Sequence, residues 1–401
     1  MRFWLSCKAC GRQIPFALRA GTCRCGGTLL VDYDLERIGR ALTKESLAGR
    51  ESTMWRYAEL LPIAHKDNIV SLGEGWTPLI RLPADRMALP LGELWVKREE
   101  QNPTGSFKSR GFSAAISIAK EYGIQTVAVN SNGNAASALA AYASRAGMEA
   151  YVFLPRDCPG LIAEECVSYG AHTYLVDGLI HDAGRIVKKA ELERGWYNVG
   201  TLNEPGRAEG KKTMGLEIAE QMNWLLPDVI VYPTGGGSGV VGMWNAFTQL
   251  KELGWIKGDL PRMVSVQEVG CDPLASAIEA GSDFAAMPNA AVTSSPTGMR
   301  VPNPPDGELI LSILKRSGGT AIAVTKEEIS QAQRSFGRMG VSASPEGGAT
   351  LAALYAMIES GWIRKSDRVV LFNTCHAMKY WPWEHRGLPV IKSYQDWVHL
   401  L

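Results

Sequence analysis

Three turns rich in glycine and asparagine carry the residues of this chain that could do chemistry. The first, Asn102-Pro-Thr-Gly-Ser-Phe-Lys-Ser-Arg-Gly111, opens a predicted helix and places Lys108 beside Phe107. Partial desolvation and the positive end of a helix dipole both lower the pKa of an amine toward that of a usable nucleophile. Lys108 is therefore a candidate for Schiff-base chemistry. A solvated lysine in a turn of small residues explains this segment equally well.

The second turn, Thr234-Gly-Gly-Gly-Ser-Gly239, follows a predicted strand and precedes an amphipathic helix over 240–253. Glycines let successive N–H groups point into one concavity, and the helix adds its dipole, so the turn suits a phosphate. It lacks the Lys-Ser/Thr ending of a nucleotide P-loop and the acidic residue of a dinucleotide site. A cofactor with one phosphate fits better. The alternative is that the glycines only allow strand and helix to pack closely.

The third turn, Ser131-Asn-Gly-Asn134, follows a predicted strand over 126–130. It brings amide side chains and a helix N-terminus to a place where a carboxylate or phenolate oxygen could sit. Asn-Gly is also an ordinary turn, and Asn134 an ordinary helix N-cap. Together the three turns suit pyridoxal phosphate, with the lysine at its imine carbon, the glycines at its 5′-phosphate and the amides at its ring O3′.

Four of the eight cysteines lie near the N-terminus, as Cys7-Lys-Ala-Cys10 and Cys23-Arg-Cys25. Two such turns supply four thiolates for tetrahedral zinc, and a site filled by protein sulfur is structural. Cys-x-Cys is tighter than the usual knuckle, so the alternative is a knuckle that packs without metal. The other four are expected to be small buried hydrophobes: Cys158, Cys166, Cys271 and Cys375.

Strand and helix patterns alternate along most of the chain, which predicts an α/β fold of doubly wound parallel sheets. Ligands of such sheets gather at the carboxyl ends of the strands, where the three turns lie. The predicted strands cover 126–130, 150–154, 173–176, 229–232, 263–267, 320–324 and 368–372. The predicted helices include 34–61, 113–122, 135–146, 213–224, 240–253 and 349–360.

Length and charge exclude several classes of protein. A chain of 401 residues suits two or three domains, and 42 basic against 41 acidic residues leave a formal charge of +1. We therefore expect no nucleic-acid partner and no membrane surface, and any anionic ligand must be small. No apolar stretch reaches the roughly 18 to 20 residues of a membrane span, and the N-terminus lacks the apolar region of a signal peptide. We expect a cytoplasmic protein.

The chain resembles the threonine synthases, a family of the fold type II (tryptophan synthase β-like) pyridoxal-phosphate enzymes, from the cysteine pairs to about Tyr380. The resemblance implies a zinc-ribbon-like segment over 1–32, a large α/β cofactor-binding domain over 33–109 and 196–401, and a small mobile α/β domain over 110–195. It also implies a homodimer. The matching segments are CRCGGTLLVDYDLE, SLGEGWTPL, NPTGSFKSRG, the Gly-Asn turn, EPGRAEGKKTMG, YPTGGGSGVVGMW, SASPEGGATLAAL and VVLFNTCHAMKY.

By this resemblance, Lys108 carries the cofactor and then, as a free amine, the Cα and Cβ protons. Phe107 lies beside the cofactor, Asn134 contacts O3′, and Thr374 faces the pyridine nitrogen. A hydroxyl at that position moderates the electron sink, which favours elimination and replacement over transamination. The cofactor phosphate is held by Gly235, Gly236, Gly237, Ser238 and Gly239.

The resemblance implies a small amino-acid substrate, O-phospho-L-homoserine, which reacts with water to give L-threonine and phosphate by γ-elimination and β-addition. The alternative is a related enzyme that eliminates or replaces at Cβ of serine, threonine or O-phosphoserine, as dehydratases and cysteate synthase do. A silent protein on the same fold is the non-enzyme alternative. Substrate-binding candidates are Ser131, Asn132, Arg207, Lys212 and Arg300. For Arg207 and Lys212 the alternative is a solvated basic turn.

The segment Thr374-Cys-His-Ala-Met-Lys379 departs most from the family pattern, which reads nearer to Thr-Gly-Ser-Gly-Leu-Lys. Cys375 and Ala377 replace glycines, constrain the backbone and add bulk beside the pyridine edge. His376 is either a new acid or base or a structural hydrogen-bonding residue. Glu346 is expected near the cofactor ring, or else as an acidic residue that caps the following helix. These departures leave the substrate open.

Overall fold

The computed structural model describes residues 2–18, 21–85, 89–201, 204–285 and 292–381. Within these residues no helix is both long and apolar enough to cross a membrane. The strands are β1 (Phe3–Cys7), β2 (Gln13–Ile14), β3 (Leu29–Tyr33), β4 (Leu79–Leu82), β5 (Glu93–Arg98), β6 (Thr126–Asn130), β7 (Glu149–Pro155), β8 (His172–Val176), β9 (Tyr197–Asn198), β10 (Val229–Pro233), β11 (Arg262–Glu268), β12 (Thr320–Val324) and β13 (Arg368–Asn373). The α-helices are α1 (Leu35–Ala41), α2 (Lys108–Glu121), α3 (Asn134–Ala146), α4 (Gly160–Ser168), α5 (Ile180–Arg194), α6 (Gly206–Gln221), α7 (Ser238–Glu252), α8 (Pro273–Glu279), α9 (Gly307–Arg316), α10 (Lys326–Arg338) and α11 (Pro345–Glu359).

A small antiparallel sheet of order β2-β1-β3 forms the N-terminal ribbon. Leu5 and Val31 are buried in the same apolar cluster as Met214 of α6 and Phe247 of α7, so the ribbon is part of a larger core. Tyr33 at the end of β3 donates a hydrogen bond to Glu209 of α6 at 2.5 Å. The ribbon is therefore fastened to one of the helices that surround the candidate site.

The large sheet has the order β12-β11-β10-β13-β5-β4, and only β4 runs antiparallel to its neighbour. The predicted strands over 229–232, 263–267, 320–324 and 368–372 all belong to it, as expected. In β10, Ile230 and Tyr232 pack into the cluster with α6 and α7, whereas Val229 and Val231 pack into the cluster with α11. Both faces of the sheet are thus covered, as in a doubly wound fold.

The small sheet is parallel throughout and has the order β8-β7-β6-β9. The predicted strands over 126–130, 150–154 and 173–176 form its first three members in the chain. Helices α2 and α3 share the apolar cluster of this sheet, which contains Phe112, Leu139 and Val152. The strand β9 pairs with β6 and lies beyond residue 195, where we predict the small domain to end.

The single helix predicted over 34–61 is wrong. Only α1 is α-helical there, and Glu45–Leu47 and Met54–Leu60 are short 3₁₀ segments. Local polar bonds compete with the helix: Thr43 and Ser46 accept from each other's backbone N–H, and Thr53 accepts from the N–H of Trp55. Gly49, with φ of +76°, turns the chain between them.

Several helices begin earlier than the apolar pattern predicts. Helix α2 begins at Lys108 instead of 113, α6 at Gly206 instead of 213, and α11 at Pro345 instead of 349. Their first turns hold polar or small residues, which hide the helical period. This shift moves Lys108 and Arg207 from predicted turns onto the first turns of helices.

Candidate active site

A cavity of about 320 Å³ lies between the large and the small sheet, at the carboxyl ends of β6, β10 and β13. The turns that follow these three strands all reach it, as the sequence predicts. The predicted site residues that line it are Phe107, Lys108, Ser131, Asn132, Asn134, Arg207, Gly235, Gly236, Gly237, Ser238, Gly239 and Thr374. Helix α6 also contributes Lys211, and the first turn of α11 contributes Glu346.

Lys108 is the first residue of α2, and its amine lies 3.7 Å from the centroid of the Phe107 ring. Phe107 donates its backbone N–H to the carbonyl of Thr374 at 3.0 Å, so the end of β13 holds the start of α2 in place. Desolvation in the cavity, and then the charge of Arg207, lower the pKa of Lys108 to about 7. A large fraction of this amine is therefore neutral and nucleophilic near neutral pH.

The glycine loop has the shape that a phosphate needs. Gly237 has φ of +74° and caps the N-terminus of α7, whose first N–H groups have no partner within the helix. A Cβ at Gly235 would meet the backbone of Gly298, and one at Gly237 would meet Ile310. Residues larger than glycine at these positions would therefore change the conformation of the loop.

Arg207 lies inside the cavity with most of its hydrogen-bonding capacity unused. Its side chain is 1% exposed and stacks 4.5 Å from the Phe112 ring centroid. Nη1 donates to the carbonyl of Val199 at 2.9 Å, whereas Nε and Nη2 have no partner among the described residues. Burial lowers its pKa to about 10, which leaves it cationic at neutral pH. Two unused donors on a buried cation indicate an anion site.

Lys212, which we predict to bind substrate, does not line the cavity. It is fully buried, pairs with Glu209 at 2.5 Å and lies 3.9 Å from the Tyr33 ring centroid. Neighbouring residues on a helix point about 100° apart, so Lys211 faces the cavity instead. Its amine donates to the hydroxyl of Ser238 at 2.7 Å. Sequence reasoning missed Lys211, because the Lys-Lys pair was placed in a turn.

Arg300, another residue that we predict to bind the substrate, also points elsewhere. Its guanidinium pairs with Asp157 at 2.8 Å, while the adjacent Met299 and Val301 line the cavity. Only the backbone carbonyl of Arg300 reaches the third turn, where it accepts from the amide of Asn132 at 2.9 Å. Arg300 therefore connects the two sides of the cavity instead of facing a ligand.

Asn134 belongs to a chain of hydrogen bonds at the cavity wall. Its amide N–H donates to Tyr380 at 3.2 Å, and Tyr380 donates to Glu346 at 2.5 Å. Cys375 donates to the amide oxygen of Asn134 at 3.4 Å. Glu346 also accepts from Gly298 N–H at 2.9 Å, and its other oxygen has no partner among the described residues. The hydrophobic pattern of the sequence gives no signal for the role of Tyr380 or for these contacts of Cys375.

Among the described residues, His376 forms a structural hydrogen bond. This fits the interpretation of His376 as a structural residue better than that of an acid or base. Its Nδ1 accepts from the backbone N–H of Met378 at 3.2 Å and caps the 3₁₀ turn Ala377–Tyr380. Burial lowers its pKa from the ordinary value, and the side chain does not line the cavity.

The four N-terminal cysteines converge at the tip of the ribbon. All four sulfurs lie within 4.8 Å of one another. Cys7 and Cys25 are 3.5 Å apart, and Cys10 and Cys23 are 3.8 Å apart. Sulfurs around tetrahedral zinc, at Zn–S of about 2.3 Å, are separated by about 3.8 Å. The donor set and its spacing thus fit zinc. Cys166, Cys271 and Cys375 are buried and Cys158 is half-buried.

The cavity residues also fit pyridoxal phosphate, the cofactor that the resemblance implies. The glycine loop provides N–H donors for its phosphate, Lys108 provides an amine of lowered pKa, and Asn134 and Thr374 provide polar groups at the wall.

Comparison with known proteins agrees with this geometry. Residues 70–374 match the family described as "Pyridoxal-phosphate dependent enzyme". The threonine synthase of Methanocaldococcus jannaschii is 36% identical over 377 residues, covering 93% of this chain and 92% of the relative. That of Methanosarcina acetivorans is 36% identical over 383 residues, covering 94% and 92%.

Solved structures share the fold at lower identity. A pyridoxal 5′-phosphate-dependent aspartate racemase superposes with a TM-score of 0.65 and 22% identity, over 77% of this chain and 93% of its own. Diaminopropionate ammonia lyase from Escherichia coli gives 0.65 and 18%, over 77% and 87%. At these identities the likeness supports the fold alone.

Proposed function

Since the chain belongs to the family of pyridoxal-phosphate-dependent enzymes, we propose that it converts O-phospho-L-homoserine and water to L-threonine and phosphate. When bound, pyridoxal phosphate supplies an electron sink for the substrate carbons. The observation that carries the proposal is Arg207, a buried cation at the wall of a cavity that already has a separate glycine loop for the cofactor phosphate. Two of its donor nitrogens have no partner among the described residues. A second phosphate, on the substrate, accounts for both anion sites. The threonine synthases of two archaea, similar over nearly their whole length, support the same reaction.

In this proposal Lys108 holds the cofactor and, once released as a free amine, moves the protons at Cα and Cβ of the substrate. A pKa of about 7 suits both tasks, because the amine can accept and return a proton near neutral pH. Asn134 holds the cofactor O3′ and Thr374 its pyridine nitrogen, and the N–H groups of the glycine loop hold its phosphate. Phe107 packs beside the lysine and limits water around it.

The substrate is held by two groups of residues. Ser131, Asn132 and the N-terminus of α3 bind its α-carboxylate, because this turn offers hydroxyl, amide and N–H donors at the cavity wall. Arg207 binds its phosphate, because a guanidinium group forms charge-assisted hydrogen bonds to phosphate oxygens. The phosphate then leaves from Cγ with the bonding electron pair, and Cγ gains a proton to become the methyl group. The hydroxyl of water adds at Cβ, and Cα regains its proton.

The substrate part of the proposal is tested with Arg207→Gln and Arg207→Lys. We expect the KM for O-phospho-L-homoserine to rise about 10- to 100-fold in Arg207→Gln, and the Lys variant to recover part of the loss. Inhibition by inorganic phosphate should weaken in parallel. An unchanged KM and unchanged phosphate inhibition would remove Arg207 from the substrate site.

We also propose that the ribbon cysteines bind one structural zinc ion per chain, through Cys7, Cys10, Cys23 and Cys25. The sulfur spacing supports this site. Metal analysis of protein purified without chelators should find about one zinc per chain, and about none after all four cysteines are replaced by serine. Protein that contains no metal, and that melts at the same temperature with and without added zinc, would contradict the proposal.

For the whole molecule we propose a mobile small domain, a homodimer and a cytoplasmic location. The small domain is best taken to include β9, since this strand pairs with β6. Light scattering on the purified chain tests the dimer, and a monomer at assay concentrations would contradict it.

A further inference from the structure

Lys211 is a buried cation for which the proposed reaction has no assigned use. It is 1% exposed on the cavity side of α6. Among the described residues it forms no ion pair, whereas the next residue, Lys212, is paired with Glu209. An ammonium that is buried without a counter-ion is costly, so it either becomes neutral or meets an anionic ligand.

The position of the Lys211 amine identifies the anion. Its one hydrogen bond goes to the hydroxyl of Ser238, the first residue of α7. Ser238 belongs to the glycine loop, and the free N–H groups of that helix end point into the same concavity. Two of the three donors of the ammonium remain for a ligand held in the loop. Arg207, one turn earlier on α6, has its own two unused donors and needs no share of that ligand.

Electrostatics in the cavity fit this placement. Burial, and then the charges of Arg207 and Lys108, lower the pKa of Lys211 well below its ordinary value, and the carboxyl of Glu204 opposes them only in part. Arg207 and Lys108 thus oppose a charge on Lys211 until a dianion enters the loop and offsets their repulsion.

We propose that Lys211 is the counter-cation of the cofactor phosphate, acting together with the N–H groups of Gly235–Gly239. The cavity then has two separate phosphate subsites: the glycine loop with Lys211 for the cofactor, and Arg207 for the substrate. The first subsite depends on family membership and not on the identity of the substrate.

The test compares pyridoxal 5′-phosphate with pyridoxal, which lacks the phosphate. The full-length chain is stripped of cofactor, and both compounds are titrated by absorbance into the wild type, Lys211→Gln, Lys211→Met and Lys211→Arg. The readout is the Kd of pyridoxal divided by the Kd of pyridoxal phosphate. Lys251→Gln, which removes an exposed lysine from α7, is the matched control.

Lys211→Gln should lower this ratio about 10- to 100-fold, because a charge-assisted hydrogen bond to phosphate is lost. Lys211→Met should lower the ratio by the same factor, and its apolar side chain should pack better in the buried position. It replaces the Gln variant if that variant does not fold. Lys211→Arg should keep most of the ratio, and Lys251→Gln all of it. Binding of pyridoxal shows that each variant is folded. Because the titration uses no substrate, a negative result for Lys211 can be distinguished from failure of the proposed reaction.

Two results would overturn the proposal. One is a ratio in Lys211→Gln and Lys211→Met equal to that of the wild type. The other is cofactor found on Lys211 instead of Lys108 when wild-type protein is reduced with borohydride and mapped by peptide mass, since Lys211 would then be a site of attachment and not a counter-cation.

Discussion

Lys108 shows how position alone can lower the pKa of a common side chain. It starts α2, lies against Phe107 and is surrounded by protein in a cavity that also contains Arg207. Desolvation and the neighbouring guanidinium both favour the neutral amine, and Glu346 opposes them only in part. The chemistry of the site therefore depends on the charge balance of a few buried groups.

Attachment of pyridoxal phosphate to cofactor-free protein should accelerate as pH rises, with a midpoint near 7. Only the neutral amine is nucleophilic. Because the pKa is lowered from 10.5 to about 7, the neutral fraction grows through pH 7 instead of pH 10.5. Stopped-flow absorbance measures the rate. Arg207→Gln removes a nearby positive charge and should move the midpoint upward, whereas a wild-type midpoint near 10 would refute this account of Lys108.

Cys375 should control the orientation of the Asn134 amide. Its thiol donates to the amide oxygen, and the amide N–H donates to Tyr380, which leaves the second N–H for the cofactor O3′. Cys375→Ala should therefore shift the pH titration of the absorbance of the bound cofactor, and Cys375→Ser, which keeps a donor, should restore it. Cys158→Ala is the control, since the thiol that donates to the Asn134 amide is that of Cys375 and not that of Cys158. Identical titrations in the wild type and Cys375→Ala would remove this role.

Residue-level prediction from the sequence succeeded where a motif fixes the backbone. Lys108, the glycine loop, Asn134 and Thr374 all reach the cavity as predicted. It failed for Lys212 and Arg300, whose direction depends on the rotation of α6 and on the path of a loop. No periodic signal distinguishes Lys211 from Lys212, because nearly all of α6 is buried. Their directions are set by tertiary packing.

At the level of elements, the start of α7 is the least tolerant part of the site. Gly237→Ala should lower the free energy of unfolding by about 1–3 kcal/mol, because φ of +74° is strained for alanine. It should also weaken cofactor binding, since its Cβ would meet Ile310 and displace the loop. Denaturant unfolding and cofactor titration measure the two effects.

Gly254→Ala is the matched control for this change. Gly254 lies beyond the other end of α7 with φ of +70°, and an added Cβ there meets no atom within 4 Å. Gly254→Ala should lower the free energy of unfolding only through the strain of alanine at positive φ. Its Kd for the cofactor should be unchanged. Equal loss of cofactor affinity in both variants would show that the shape of the loop is not the cause.

The alternation of strands and helices predicted both parallel sheets, since continuous apolar runs mark buried strands. It did not predict β4, β5 and β9, or the true starts of α2, α6 and α11. A strand such as Tyr197–Asn198 is too short for any period to be read from it. The start of α11 is set by Pro345 and by Ser344, whose hydroxyl accepts from Gly347 N–H.

At the level of the whole molecule, several contacts fasten the small-sheet side to the rest of the chain around the cavity. Lys379 pairs with Glu165 of α4 at 2.5 Å, and Arg300 pairs with Asp157. The link between Asn134 and Tyr380 lies in the same region. These contacts are partly exposed polar bonds, which suits the proposed motion of the small domain.

Glu165→Gln should raise hydrogen exchange in α4 about 2- to 5-fold, because a partly exposed ion pair contributes up to about 1 kcal/mol. Exchange measured by mass spectrometry on the cofactor-loaded chain reports this directly. Glu193→Gln, which breaks an exposed pair with Lys189 on α5, is the control and should leave α4 unchanged. Equal hydrogen exchange of α4 in Glu165→Gln and in the wild type would show that the Lys379–Glu165 pair does not stabilise α4.

The most direct test of the central claim is phosphate release from O-phospho-L-homoserine by the full-length chain, shown by its absorbance to contain pyridoxal phosphate. We predict phosphate and L-threonine in equal amounts, with neither formed by Lys108→Ala. We also predict much slower release of keto acid from serine or threonine. No phosphate above the Lys108→Ala level, together with keto acid from serine or threonine, would contradict the account and assign the cavity to β-elimination.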